Sequence, residues 1–260
     1  MDDGVDYVFL AGTTGLGPSL SADEKVLMLD GMREYSTKLL LQVGSLDLEE
    51  SLKLAERAKA SNIHAMVSYP PYFYPRMSDE WVVKYFVALS KVHPVIAYNY
   101  PLATGYDITP AILKKVLQNG GNVIGIKDTI PDLAHMLSFK YELGNDFIVY
   151  SGPDTVVTSA VRSGIDGCVA GSANYVPELL TRATDLQAKL SDAIAAQKTI
   201  AALAGLAKKY GQWAANYVLV KAIRGYDVGE PRPPIYPLGQ IEQEKLTVEA
   251  REAYPLVKAK

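Results

Sequence analysis

Seven short runs of apolar, mostly β-prone residues recur along the chain, at 7–11, 39–43, 65–68, 95–98, 123–127, 147–150 and 167–170. Each is followed by a loop containing glycine or proline and then by a helical pattern. Runs of this length that are apolar throughout predict strands buried on both faces, as in a parallel sheet. Strand alternating with helix at an even pace predicts βαβ units, and so many in one chain predict an α/β (β/α)8 TIM barrel. The helix starts agree with this. Ser21-Ala22-Asp23-Glu24 is a capping box, Ser78-Asp79-Glu80 opens a helix reaching residue 92, and Asp107 or Thr109 with Pro110 opens another ending near Gly120.

After the seventh run the pattern becomes helical alone, at 177–190, 192–210 and 214–225, followed by the turn Pro231-Arg232-Pro233-Pro234 and a charged helix from Ile241. The apolar faces continue without a composition break. The chain therefore reads as one domain over 1–260, with barrel strands and helices over 1–176 and the last barrel helix plus an appended helical layer over 177–260.

Composition narrows the function. With 260 residues, 48% hydrophobic and 21% charged, the chain suits one large domain with a substantial core. A net charge of -3 with interspersed signs leaves no basic tract for nucleic acid or a membrane surface. The single cysteine, Cys168, excludes an internal disulfide and fits a reducing compartment. His64, His93 and His135 fall in different segments without ligand spacing and read as surface or packing residues. No apolar run approaches the roughly 20 residues that span a bilayer, and no signal-peptide pattern precedes the first strand. A soluble cytoplasmic protein is the expectation.

Candidate chemistry collects in the loops after the strands, which is where α/β proteins place it. The run Val123-Ile124-Gly125-Ile126 stops at Lys127, followed by Asp128 and Thr129. Burying an ammonium is costly, which favours a neutral amine able to attack a carbonyl. Seen alone, a strand-end lysine is more often solvated. After the first strand, Gly12-Thr13-Thr14-Gly15-Leu16-Gly17 combines free-turning backbone with two hydroxyls, an anion nest suited to a carboxylate or else an ordinary turn. Tyr98-Asn99-Tyr100-Pro101 follows the fourth strand and offers a phenol able to relay a proton, though core tyrosines are commoner. Pro70-Pro71-Tyr72-Phe73-Tyr74-Pro75-Arg76, Ser151-Gly152-Pro153-Asp154 and Gly171-Ser172-Ala173-Asn174 complete the inventory.

Gly12-Thr13-Thr14-Gly15, Tyr98-Asn99-Tyr100-Pro101 and Gly125-Ile126-Lys127-Asp128-Thr129, in this order and spacing, resemble the pyruvate-dependent class I aldolases, the superfamily of N-acetylneuraminate lyase and dihydrodipicolinate synthase. The segments 12–21 and 74–78, and Gly225-Tyr226-Asp227 before Pro231, are most similar to the archaeal 2-keto-3-deoxygluconate aldolases. The resemblance covers essentially the whole chain. It implies that Lys127 forms the Schiff base, that Tyr98 passes protons, and that Thr13 and Thr14 hold the substrate carboxylate. It places Tyr100, Thr129, Gly152, Asp154, Ala170 and Ser172 along the polyhydroxyl pocket and Arg76 at a phosphate-binding position. The implied reaction splits 2-keto-3-deoxygluconate reversibly into pyruvate and glyceraldehyde, with no metal or other cofactor, in a homotetramer built as a dimer of dimers.

Three departures qualify the resemblance. The family barrel has eight strands and no βα unit precedes Tyr7, so the expectation is a sequence lacking the first unit. Phe73 stands where many members carry a second adjacent tyrosine reaching across a dimer interface, which puts that relay in doubt. Around Lys208-Lys209-Tyr210 an arginine of the phosphate-accepting relatives is replaced by lysine, which lacks the bidentate fork and makes the non-phosphorylated sugar acid the first choice. Ala103, standing where dihydrodipicolinate synthase has an arginine for its aldehyde's carboxylate, disfavours that activity. N-acetylneuraminate lyase and a ligand-binding barrel without turnover remain as alternatives.

Overall fold

The structure, a computed structural model, describes residues 4–74 and 76–254. Seven strands, β1 (Val8–Leu10), β2 (Leu39–Gln42), β3 (Ala65–Ser68), β4 (Val95–Asn99), β5 (Val123–Asp128), β6 (Ile148–Ser151) and β7 (Gly167–Cys168), form one sheet in chain order. Every adjacent pair is parallel. This is the strand arrangement of the TIM barrel the pattern predicts, and the described residues supply seven of its eight strands. β2, β3 and β4 are buried at every position, which is why they read as unbroken apolar runs. β5 and β6 approach closely because Gly125 faces Ile148: a Cβ at Gly125 would lie 2.5 Å from the Ile148 carbonyl oxygen.

By its contacts the chain groups into two compact units. The first, residues 6–153 and 163–169, contains the whole sheet. With it go α1 (Ala22–Gly31), α2 (Leu48–Ala60), α3 (Asp79–Ser90), α4 (Pro101–Thr104), α5 (Pro110–Gln118) and α6 (Leu133–Leu143). The capping box at α1 is present: the Glu24 amide donates to Ser21 Oγ at 3.2 Å, and the Ser21 amide to Glu24 Oε2 at 2.9 Å. One interior layer buries Leu40, Ala65, Val67, Tyr69, Ile96 and Tyr98, with Phe9, Tyr100 and Tyr150 packed on it. Tyr98 thus faces the inside of the sheet.

The second unit, residues 1–5, 154–162 and 170–260, is helical over its described part. It holds α7 (Val157–Arg162), α8 (Pro177–Thr184), α9 (Leu190–Lys209), α10 (Gln212–Arg224) and α11 (Gln240–Ala253). The helix predicted over 177–190 ends earlier, at Thr184, and the next begins at Leu190. Within this unit Glu178 accepts from Arg224 Nη1 at 3.1 Å and from the Tyr254 hydroxyl at 2.8 Å, tying α8 to α10 and to the end of α11. No helix among the described residues is long and apolar enough to cross a membrane.

Candidate active site

Strand register brings two of the predicted residues together. Tyr98 at the end of β4 pairs directly with Lys127 on β5, and both side chains are directed into the interior. Lys127 is 9% exposed; its Nζ sits 4.2 Å from the centre of the Tyr98 ring and 5.3 Å from that of Phe9. No hydrogen bond or ion pair engages it among the described residues. The amine therefore rests on ring faces, with its lone-pair or proton positions open to an incoming carbonyl.

The Tyr98 phenol shares a hydrogen bond of 3.1 Å with Thr13 Oγ1, in the loop after β1. That loop is tightly wound. The Leu16 amide donates to the Thr13 carbonyl and the Gly17 amide to that of Gly12, both at 3.0 Å, while Ala11 and Leu16 adopt left-handed backbone with φ of 54°. The amides of Thr13 and Thr14 donate to no acceptor among the described residues, as an anion nest requires. Gly17 locks the loop closed, since a Cβ there would fall 1.6 Å from the Ala11 carbonyl oxygen. Gly17→Ala is accordingly expected to cost about 3 kcal/mol, the upper range for overpacking, read as a lower urea midpoint at unchanged slope. A midpoint within error of the parent would show that the loop opens freely.

Tyr100 stacks on Tyr98 with ring centres 6.0 Å apart and planes 15° from parallel. Burial, and to a lesser degree the neighbouring Tyr98, pushes the Tyr100 phenol above its ordinary range. Thr129 is tied down from both ends: its amide and hydroxyl donate to the Asn99 carbonyl at 3.0 and 2.7 Å. The Gly152 amide donates to the Asp128 carbonyl at 2.7 Å, extending the pairing of β5 with β6. Arg76 is exposed, has left-handed backbone, and forms no hydrogen bond or ion pair with another candidate residue among those described.

The helical unit carries the remaining candidates. Asp154 accepts from the Ser172 amide at 3.0 Å and from the Ser172 hydroxyl in a short bond, and Ser172 is fully buried. Gln197 from α9 donates to the Asp154 carbonyl at 2.7 Å. Ala170 is half-buried just before them. Lys209, near the arginine position of phosphate-accepting relatives, is already engaged: its Nζ donates to both Glu249 oxygens at 2.8 Å.

One set of buried polar residues was not singled out from the sequence. Asn99 and Asp128, each following one of the paired residues Tyr98 and Lys127, are fully buried and bonded to one another at 3.0 Å. His135 on α6 holds Asp128. The available signal was the polar residue at an outward strand position, where the βα layer ordinarily demands an apolar one.

Comparison with known proteins sets this geometry in context. The model of the dihydrodipicolinate synthetase family matches residues 1–253. The 2-dehydro-3-deoxy-phosphogluconate/2-dehydro-3-deoxy-6-phosphogalactonate aldolase of Saccharolobus solfataricus is 41% identical over 247 residues, covering 94% of this chain and 82% of its own. The 2-dehydro-3-deoxy-D-gluconate/2-dehydro-3-deoxy-phosphogluconate aldolase of Thermoproteus tenax is 39% identical, over 96% of this chain and 81% of its own. Among solved structures, the Sulfolobus 2-keto-3-deoxygluconate aldolase in complex with D-KDPG superposes with a TM-score of 0.90 at 39% identity, covering 96% of this chain and 85% of that one. With a family match along nearly its full length and relatives at this identity, the chain belongs to the dihydrodipicolinate synthetase family.

Proposed function

We propose that the chain is a Schiff-base aldolase that cleaves 2-keto-3-deoxygluconate reversibly to pyruvate and glyceraldehyde, and takes the 6-phosphate ester as a second substrate. The observation that carries this reading is the placement of the Lys127 amine, buried, without hydrogen-bond partners among the described residues, and beside a tyrosine whose phenol is bonded to the nest-forming loop. In this reading the Thr13 and Thr14 amides and hydroxyls hold the substrate carboxylate. Lys127 Nζ attacks the C2 ketone, and loss of water from the carbinolamine gives an iminium. Tyr98 takes the proton of the C4 hydroxyl as the C3–C4 bond breaks, while its own phenolic proton passes to Thr13 Oγ1 and the threonine's proton to the substrate carboxylate, which later returns it to C3; the bonding pair moves into the iminium, leaving an enamine and releasing the aldehyde. Protonation at C3 and hydrolysis then free pyruvate and the amine.

Tyr100, Thr129 and Gly152 are assigned to the sugar hydroxyls, and Asp154, Ala170 and Ser172 keep the role the resemblance gives them. The phosphate ester is favoured by the relatives' names and by Arg76, which has no ion-pair partner among the described residues. Lys209 is the weaker candidate because Glu249 already neutralises it. A homotetramer, a cytoplasmic location and a single-domain organisation belong to the same reading; exposed Phe73 and Tyr74, at 80% and 59%, offer apolar surface for assembly.

The test is native mass spectrometry after incubation with pyruvate and borohydride. One reduced pyruvyl adduct per chain, mapped by peptide digestion to Lys127, is expected, carried on a four-chain assembly. Well-folded protein without an adduct would favour a binding barrel over a lyase, and a monomer would remove the tetramer. Turnover of N-acetylneuraminate in preference to the deoxy sugar acid would shift the substrate.

A further inference from the structure

Strand alternation gives the two paired strands an inner and an outer layer at the same height. Inside, Tyr98 faces Lys127; outside, Asn99 faces Asp128. The outer pair is fully buried and does not stand alone. Asn99 Nδ2 donates to Asp128 Oδ1 at 3.0 Å and to Asp107 Oδ1 at 2.8 Å, while its Oδ1 accepts from the Ile108 amide at 2.9 Å. Asp128 Oδ1 also accepts from the Ile130 amide at 3.1 Å. His135 completes the circuit from α6: Nδ1 lies 2.7 Å from Asp128 Oδ2, and Nε2 lies 3.5 Å from Asp107 Oδ2. The second contact is an ion pair without a hydrogen bond, since His135 Nε2 has no bonded partner among the described residues. The result is a closed ring of four side chains, Asn99, Asp128, His135 and Asp107.

We propose that His135 is a positioning residue for the aldolase site: held between Asp128 and Asp107, it closes the ring that fixes β4 against β5 and thereby the approach of the Lys127 amine to the Tyr98 phenol. This role rests on the aldolase reading. The groups facing the imidazole are Asp128 from β5, Asp107 from the loop before α5, Asp132 at the start of its own helix, and the Phe139 ring 5.3 Å away. Three carboxylates around one imidazole favour its charged form. The hydrogen bond to Asp128 is the first cause of a raised pKa, with burial opposing and the charges of Asp128, Asp107 and Asp132 adding.

The sign of the pH effect follows from the two ring nitrogens. An imidazolium donates to Asp128 and attracts Asp107. A neutral ring keeps its Nδ1–H on Asp128 but turns the Nε2 lone pair toward the Asp107 carboxylate, so one arm of the ring changes from attraction to repulsion. For a group whose folded pKa is raised, the contribution is complete below the unfolded value of 6.5 and is lost as pH rises through the folded value. Positioning is therefore strongest in mildly acidic solution.

The test compares the rate of borohydride-trapped pyruvate adduct on the wild-type chain, His135→Asn and His135→Leu. Asparagine restores one donor to Asp128 without the charge; leucine restores neither. At about pH 6 the asparagine variant is expected to be roughly tenfold slower than wild type and the leucine variant slower again. Near pH 9 or so, the ratio of wild type to His135→Asn is expected to be clearly smaller than at about pH 6, because the wild-type imidazole loses its charge as pH rises. A wild-type to asparagine ratio that is the same at both pH values, even with a lowered melting temperature, would make His135 merely structural and overturn the proposal. No adduct on the wild-type chain at either pH would overturn the aldolase reading together with this role, whereas an adduct with a pH-independent ratio overturns this role alone.

Discussion

Lys127→Met is expected to lower cleavage of the deoxy sugar acid by roughly 10⁴-fold or more, the scale seen when a covalent nucleophile is removed, while leaving the protein as stable as before or more so. The two effects have one origin. A lysine 9% exposed, without a hydrogen bond or ion pair among the described residues, has lost its hydration and recovered only ring faces at 4.2 and 5.3 Å. Such a contact returns about 0.5–2 kcal/mol, less than the desolvation of an unpaired polar group generally costs. Methionine has nearly the same length and volume, fills the space over Tyr98 and Phe9, and carries no group that needs water. The urea midpoint should rise by an amount equivalent to about 0–2 kcal/mol, as substitutions of strained functional groups commonly do. Residual cleavage above a hundredth of wild type, roughly the contribution of one acid–base group, would mean that another amine carries the Schiff base. A loss of stability would mean that Lys127 has a structural partner.

The same local physics explains what the sequence disclosed. β2 to β5 were legible because a strand covered on both faces must be apolar throughout, and Lys127 was legible because it ends such a run. The nest loop was legible from its glycines. The break between α8 and α9 was legible but misplaced at residue 191, since residues 185–189, where it falls, contain neither glycine nor proline. Asp185 makes the turn with its own side chain, accepting from the Gln187 amide at 2.8 Å, and Arg162 fixes it by donating to the Asp185 and Ala188 carbonyls. Those contacts join segments more than twenty positions apart. The ring around His135 was hidden for the same reason: Asn99, Asp107, Asp128 and His135 are scattered over two strands, a loop and a helix, and only the fold brings them together. A histidine read as a surface or packing residue from sequence proves to bridge two carboxylates.

Tyr98→Phe separates the two chemical steps that Lys127→Met abolishes together. The phenyl ring keeps the face on which the Lys127 amine rests at 4.2 Å, and it keeps the edge contact with Phe9, whose ring centre is 6.0 Å away. Only the phenol and its 3.1 Å bond to Thr13 Oγ1 are removed. Thr13 is half-buried, so its hydroxyl can turn to water, and the stability cost should stay near the 0.5–1.5 kcal/mol of a single neutral hydrogen bond. Imine formation with pyruvate requires the amine and the carboxylate nest but no proton relay at C4. Borohydride trapping is therefore expected to proceed within a few-fold of wild type, while kcat for cleavage falls by about 10²- to 10⁴-fold, the usual yield of a positioned acid–base group. The signature is this split between the two assays on one variant. Equal losses in both would show that the phenol acts through the placement of Lys127 or Thr13. Cleavage within threefold or so of wild type, well under the range for such a group, would show that the C4 proton leaves by another route, and Tyr100, stacked 6.0 Å away with its phenol pushed above the ordinary range, would be the next residue to replace.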